Sequence, residues 1–116
     1  MALSATQITA TAVTSGSPNG TVVYSSSGNN AITSIIACNN HSSTTINLTL
    51  YAVPSGKNPY GNPETTIVSA LPIPPGETVS FDQEKLVLGN GDQLDAIASV
   101  AYSGTGVSIV VSTLAV

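Results

Sequence analysis

The stretch Thr44-Thr45-Ile46-Asn47-Leu48-Thr49-Leu50-Tyr51-Ala52-Val53 decides the fold class of this chain. Its aliphatic residues Ile46, Leu48 and Leu50 occupy alternate positions and are separated by polar residues. A period of two residues places alternate side chains on opposite faces of an extended strand. We therefore predict an amphipathic β-strand with one face buried in a core. The residues expected beside that face are Ile97, Ile109 and Val111.

The rest of the chain has the same character, with β-branched residues in short runs that Gly, Pro, Asn and Ser clusters interrupt. The predicted strands are 7–13, 21–24, 31–38, 44–53, 65–71, 78–81, 85–88, 93–102 and 107–114. Pro72 predicts an edge position or a crossing between sheets, because proline cannot donate to a central ladder. Residues 31–38 have apolar side chains on both faces of the predicted strand, which indicates a central strand covered on both sides. The Asn-Gly pair of 89–92 is typical of a hairpin turn, and the last two strands are predicted to pair across 103–106.

These patterns predict an all-β protein. Residues 1–116 are expected to form a single antiparallel β-sandwich of about eight short strands, with either jelly-roll or immunoglobulin-like topology. Residues 1–13 leave two alternatives open, an extended arm that docks on a neighbour or the first strand of the chain's own sandwich. The long loop 54–63 carries Tyr60 between prolines that restrict it. The candidate interface residues are Leu3, Gln7, Ile8, Thr9 and Tyr60.

Charge is scarce in this sequence. Charged residues make up 7% of the 116 residues, against about 25% in an average soluble domain, and the first of them is Lys57. Neutral hydroxyl and amide groups are less costly to desolvate than charges, which favours a protein that assembles with copies of itself or with other proteins. A net charge of −4 with two lysines and no arginine argues against nucleic-acid or anionic-membrane partners.

Few residues suggest catalysis or metal binding, and we expect no enzymatic activity, no catalytic residue and no cofactor. His41 is the one histidine, and the nearest carboxylate in sequence is Glu64. Asp82, Glu84 and Asp92 are the candidate metal ligands, although their spacing matches no calcium loop. For Asp92 we prefer a role as acceptor for turn amides. Cys38 lies in an apolar run and is expected to be a buried, inert thiol.

Residues 36–116 contain an ordered series of blocks with a recognisable character. The blocks are Ile36-Ala37-Cys38-Asn39-Asn40, Ile46-Asn47-Leu48-Thr49-Leu50-Tyr51-Ala52-Val53-Pro54-Ser55-Gly56, Leu71-Pro72-Ile73-Pro74-Pro75-Gly76-Glu77-Thr78, Lys85-Leu86-Val87-Leu88, Gly91-Asp92-Gln93-Leu94-Asp95-Ala96 and Val107-Ser108-Ile109-Val110-Val111-Ser112. This order of strand ends and turns resembles the small β-sandwich virion proteins of tailed bacteriophages, which are found on heads, necks and tails. The likeness covers about 70% of the chain and consists of strand and turn chemistry, with no catalytic motif.

The resemblance implies a non-enzymatic virion structural protein, made in the host bacterial cytoplasm. The leading hypothesis is a capsid decoration or cement protein that forms a dimer or trimer and binds other virion proteins such as the major capsid protein. A neck, collar, tail or baseplate component is the alternative within this class. A carbohydrate-binding or adhesin module is the alternative from another class, and the scarcity of aromatic residues, 4% of the chain, counts against it.

Overall fold

A computed structural model describes residues 7–13, 21–57, 63–81, 86–99 and 106–116, with the backbone alone for residues 7–13 and Pro63. The described residues form nine strands and one short 3-10 helix, Pro63–Thr65. The strands are β1 Gln7–Val13, β2 Thr21–Ser25, β3 Asn30–Asn39, β4 Ile46–Val53, β5 Thr66–Ile73, β6 Thr78–Phe81, β7 Leu86–Leu88, β8 Gln93–Ala98 and β9 Val107–Ala115. The all-β prediction is confirmed. No helix in the described part of the chain has the length and apolar character that crossing a membrane requires.

The strands form two antiparallel sheets that pack together as a sandwich. Sheet A has the order β1-β9-β3-β6, with β7 also paired to β3, and sheet B has the order β2-β8-β4-β5. Strand β6 pairs with residues 35–38 of β3, whereas β7 pairs with residues 30–32. Because β6 and β7 lie end to end beside β3, the described strands fill eight positions in two layers of four, as the sequence predicts.

The pairing is nested, and this nesting defines a jelly roll. If β6 and β7 count as one interrupted strand, the first strand pairs with the last, the second with the seventh, the third with the sixth and the fourth with the fifth. Folding such a nested hairpin over itself produces the two Greek keys of the jelly-roll sandwich. In an immunoglobulin-like sheet the first two strands are neighbours, whereas here β1 and β2 lie in different sheets.

Two predicted strand pairs are wrong. The turn at 89–92 has the expected tight geometry, with Gly91 at a φ of +87°, but β7 lies in sheet A and β8 in sheet B. Strands β8 and β9 also lie in different sheets, so 103–106 does not join a hairpin. Turn chemistry is local and specifies a reversal of the chain, whereas the choice of sheet depends on distant strands. The edge prediction for Pro72 is confirmed, since β5 ends the order of sheet B.

Strands β4 and β9 carry the clearest alternation between core and surface. Ile46, Leu48 and Leu50 have no exposed surface, and neither do Ile109 and Val111 of β9. These five placements confirm the predicted core. Ile97 is a correction: β8 turns Leu94, Ala96 and Ala98 inward, and Ile97 at the opposite parity is only half-buried. The two small alanines facing the core made the larger Ile97 look like the inward residue.

Asn39, at the end of β3, is a fully buried polar residue whose hydrogen bonds join four segments of the chain. Its Nδ2 donates to the carbonyl oxygens of Thr44 and Ile73, both at 2.8 Å, and its Oδ1 accepts from the backbone N–H of His41 at 3.0 Å. Its own backbone N–H donates to the carbonyl of Glu77, and its carbonyl accepts from Gly76. This one residue therefore ties β3 to the following loop, to the end of β5 and to the turn before β6.

Truncation of the core face of β4 tests the assigned direction of that strand. We expect Leu48→Ala to lower the free energy of unfolding by about 2–5 kcal/mol, because a fully buried leucine leaves a cavity. Val87→Ala, at a side chain that is 62% exposed, is the control and should change it by less than about 0.5 kcal/mol. Urea denaturation measures both values. A loss below about 1 kcal/mol for Leu48→Ala would mean that the strand's faces are assigned the wrong way round.

Removal of the Asn39 amide tests the junction. We expect Asn39→Ala to lower the free energy of unfolding by roughly 2–4 kcal/mol, because two carbonyls and one N–H lose their partner. Asn47→Ala removes an amide from an exposed position of β4 and serves as the matched control, with an expected change near zero. Equal effects of the two substitutions, measured by thermal or urea denaturation, would contradict the role given to Asn39.

Candidate interaction surface

The charged residues that the structure describes lie almost entirely outside the strands. Among the described residues, the nine strands contain a single charged side chain, that of Asp95. The other charged residues that the structure describes lie in turns, loops and the short helix: Lys57, Glu64, Glu77 and Asp92. Apart from Asp95, the described strands of both layers are therefore neutral, and the other charges of the described residues lie in the connections between strands.

The outer face of sheet A alternates apolar rows with rows of small polar residues. Alternate residues of β3 and β9 point away from the core, and residues that pair across antiparallel strands share a face. From one end of β3 to the other, the rows are Val87–Ala31–Leu114, Ser34–Ser112, Ile36–Val110 with Ser80, and Cys38–Ser108 with Thr78. The described residues of this face include no charged side chain.

Part of this face exposes apolar surface to solvent. Ile36 is 41% exposed and Val87 is 62% exposed. Strand β3 was predicted to be covered on both sides, but the described residues cover only its inner side. The prediction of a buried thiol is also wrong, since Cys38 is only partly buried. It lies between the inward-facing Ala37 and Asn39, and because side chains alternate along a strand, Cys38 faces outward. The sequence does not reveal this direction, because the residues before Cys38 are apolar on both faces of the strand.

Strand β1 lies at the edge of sheet A and resolves the open question about the first residues. Gln7, Ile8 and Thr9, three of the predicted interface residues, pair with residues 113, 112 and 111 of β9. Residues 7–13 are thus the first strand of the chain's own sandwich. Leu3 and Tyr60, the other two predicted interface residues, lie outside the described residues.

Asp92 stabilises the turn between β7 and β8, as predicted. Its Oδ1 accepts a hydrogen bond from the backbone N–H of Ser55, and its Oδ2 accepts one from Gly89, both at 2.9 Å. Position 91, beside it, requires glycine for two reasons. Its φ is positive, and a Cβ there would lie 2.6 Å from the Ser55 hydroxyl. Both carboxylate oxygens of Asp92 therefore bind backbone amides that join this turn to the end of β4.

The other side chains considered for chemistry are not brought into one site. Asp82 and Glu84, the remaining candidate metal ligands, lie outside the described residues. Within the described ranges, no group of three or more His, Cys, Asp or Glu side chains is placed to hold a metal ion. The Nδ1 of His41 accepts hydrogen bonds from the backbone N–H groups of Ser43 and Thr44, at 3.2 and 3.1 Å. This lone pair is engaged in shaping the loop between β3 and β4.

The sequence interpretation missed Asp95, as it missed Ile36 and Val87 of the outer face of sheet A. Asp95 lies on β8 opposite Val22 of β2 and Tyr51 of β4, and 2% of its surface is exposed. Its Oδ1 is buried and has no hydrogen-bond partner among the described residues. Burial raises the pKa of the Asp95 carboxyl from its ordinary value of 3.8 to about 6, because burial removes hydration from the charged form. The available signal was a carboxylate in the middle of an otherwise uncharged predicted strand, 93–102.

Comparison with protein-family models, with curated proteins and with solved structures finds no match to this chain. The fold alone therefore defines its class: a jelly-roll β-sandwich whose described strands contain one charged side chain, that of Asp95.

Asp95 predicts a dependence of stability on pH. Since its pKa in the folded protein lies above that of the unfolded chain, the folded state holds an extra proton between about pH 4 and pH 6. The stability due to this carboxyl is fully present below about pH 4 and is lost as the pH rises through about 6. The shift sets an upper limit of about 3 kcal/mol on the loss, because each unit of pKa corresponds to about 1.4 kcal/mol.

Asp95→Asn should remove this dependence and make the protein more stable than the wild type at pH 7. Urea denaturation of both proteins at several values between pH 4 and pH 7 measures it. The difference between the two curves isolates Asp95, because the other carboxyl groups are common to both. Parallel curves would show that Asp95 is solvated in the folded state.

Proposed function

We propose that this protein is a non-enzymatic structural component of a bacteriophage virion, which decorates or cements the capsid shell as a homo-oligomer. Two features support the proposal. The chain resembles small virion sandwich proteins in the order of its strand ends and turns, and its strands pair in the jelly-roll order, which viral capsid domains share with lectin and cupin domains. A neck or tail component would use the same surfaces and remains the alternative within this class.

The observation that carries the proposal is the neutral outer face of sheet A. Assembly on this face would bury the exposed Ile36 and Val87, and the serine rows can hydrogen-bond across an interface. No charged group among its described residues would have to be desolvated, which removes a cost of several kcal/mol per ion. Covering this surface therefore costs little desolvation free energy, and burial of its apolar rows is favourable.

The size of the face indicates how such a contact would act. Four strand positions at about 4.8 Å and strands of up to about 30 Å give roughly 600 Å² of sheet surface. A standard stable interface uses about 800 Å² of each partner, so one face-to-face contact would be weak alone. Many weak contacts on a repeating shell combine into strong attachment, which is the behaviour expected of a cement protein.

A charge placed on this face tests the assignment. We expect Ile36→Lys to weaken self-association at least tenfold, because the ammonium would be buried without a partner. Ile67→Lys is the matched control: it makes the same substitution at a similar exposure, 46% against 41%, on strand β5 of sheet B. Sedimentation velocity from micromolar to millimolar concentrations measures both, because a single weak contact populates the dimer only at high concentration. A wild type that stays monomeric at millimolar concentration, or equal effects of the two substitutions, would contradict assembly through sheet A.

Two further observations separate the alternatives. Genes for a portal, a protease and a major capsid protein beside the gene for this chain would support the virion role, and tail genes would favour the alternative within that class. A carbohydrate-binding module should instead bind defined sugars on a glycan array. The described aromatic side chains offer little for sugar stacking, since Tyr24 is buried and Tyr51 and Phe81 are half-buried.

A further inference from the structure

An apolar pocket of about 290 Å³ opens between the two sheets, beside β5 on one side and β6 and β7 on the other. Its inner wall consists of core side chains, Ile32 and Ile35 of β3 and Leu50 of β4, which are at most 6% exposed. Ile67, which lines the pocket and is 46% exposed, places its opening at the surface. The pocket is thus continuous with the core at one end and with solvent at the other.

The pocket lies where both sheets are irregular. The pairing of β3 with β9 shifts between residues 32 and 34, and Ile32 and Ile35 flank that shift. The pairing of β4 with β5 shifts on both sides of Leu50, which is opposite Val68. In the outer position of sheet A, β6 ends at Phe81 and β7 begins at Leu86. All six of these residues line the pocket, so the pocket coincides with the register shifts of both sheets.

The chemistry of the wall specifies the kind of ligand. Every described residue that lines the pocket has an aliphatic or aromatic side chain. Water is stable in a cavity only where it finds two to four polar partners, whereas an apolar cavity of about 150 Å³ binds benzene. We propose that this pocket is a binding site for a small apolar molecule of about the size of two fused aromatic rings.

This site is independent of the proposed virion function. It lies at the β6–β7 edge of sheet A and faces the interior of the sandwich, whereas the assembly face is the outer side of the same sheet. The ligand proposal can therefore fail while assembly stands, and the reverse also holds.

Naphthalene is the probe, and methyl-labelled protein gives the readout by NMR. We expect saturable shifts of the methyl signals of Ile32, Ile35, Leu50 and Val68, with no shift for Val110 on the outer face of sheet A. Val68→Phe should fill the pocket and weaken binding at least tenfold. Val110→Phe makes the same substitution outside the pocket and should leave binding unchanged.

The outcomes distinguish a site from adventitious association. Shifts that do not saturate, shifts spread over both outer faces, or unchanged binding by a folded Val68→Phe variant would overturn the proposal. If Val68→Phe does not unfold cooperatively and so cannot be used, the wild-type methyl map decides. Saturable shifts confined to the pocket residues support the site, and their absence rejects it.

Discussion

The sandwich depends on how one buried amide joins its two layers. Asn39 stands where the chain leaves sheet A, and its side chain holds both the loop that leads into β4 and the end of β5, where the chain returns. Its backbone fixes the turn that enters β6. The β4–β5 pair can therefore lie over β3 and β6 only in the position that satisfies these bonds. Hydrophobic burial drives the layers together, but it has no direction, and the amide supplies the alignment.

The separation of charge from the sheets links this architecture to its proposed use. Charged groups in the connections keep the protein hydrated at its turns, while the sheet face that would meet a neighbour is made of hydroxyl and aliphatic rows. Asp95 is the exception that shows the cost of a charge in such a layer. It lies on an inner strand of sheet B, its Oδ1 has no hydrogen-bond partner in the part of the chain that the structure describes, and its raised pKa reflects the cost of burying the charge.

Local chemistry predicted the elements of this fold better than it predicted their partners. The alternation of Ile46, Leu48 and Leu50 correctly predicted β4 and the face that it turns to the core. The pair Gly91 and Asp92 correctly predicted a tight turn. The same reasoning failed where an answer depended on residues far away in the chain. Strands β8 and β9 follow each other in the chain and were expected to pair, but β8 lies in sheet B and β9 in sheet A.

Some of the missed information was present in the sequence. Asp95 and Ile97 are two residues apart and so share a face of β8, which could have placed Ile97 outside the core. The hydrogen bonds of Asn39 were beyond such reasoning, because its acceptor Ile73 lies 34 residues away. The pocket was likewise unpredictable, since it lies where register shifts in two different sheets coincide in space.

The nested pairing has a consequence for synthesis in the cell. Strand β1 ends at Val13, and its partner β9 begins only at Val107. At about 5–20 residues per second, the ribosome needs roughly 5–20 seconds to deliver that partner. During this interval an uncharged strand, lacking the lysines and prolines that discourage wrong pairing, is available to any other nascent chain. Crowded translation of many copies would therefore favour strand exchange between them, and slower initiation would raise the yield of correctly folded protein.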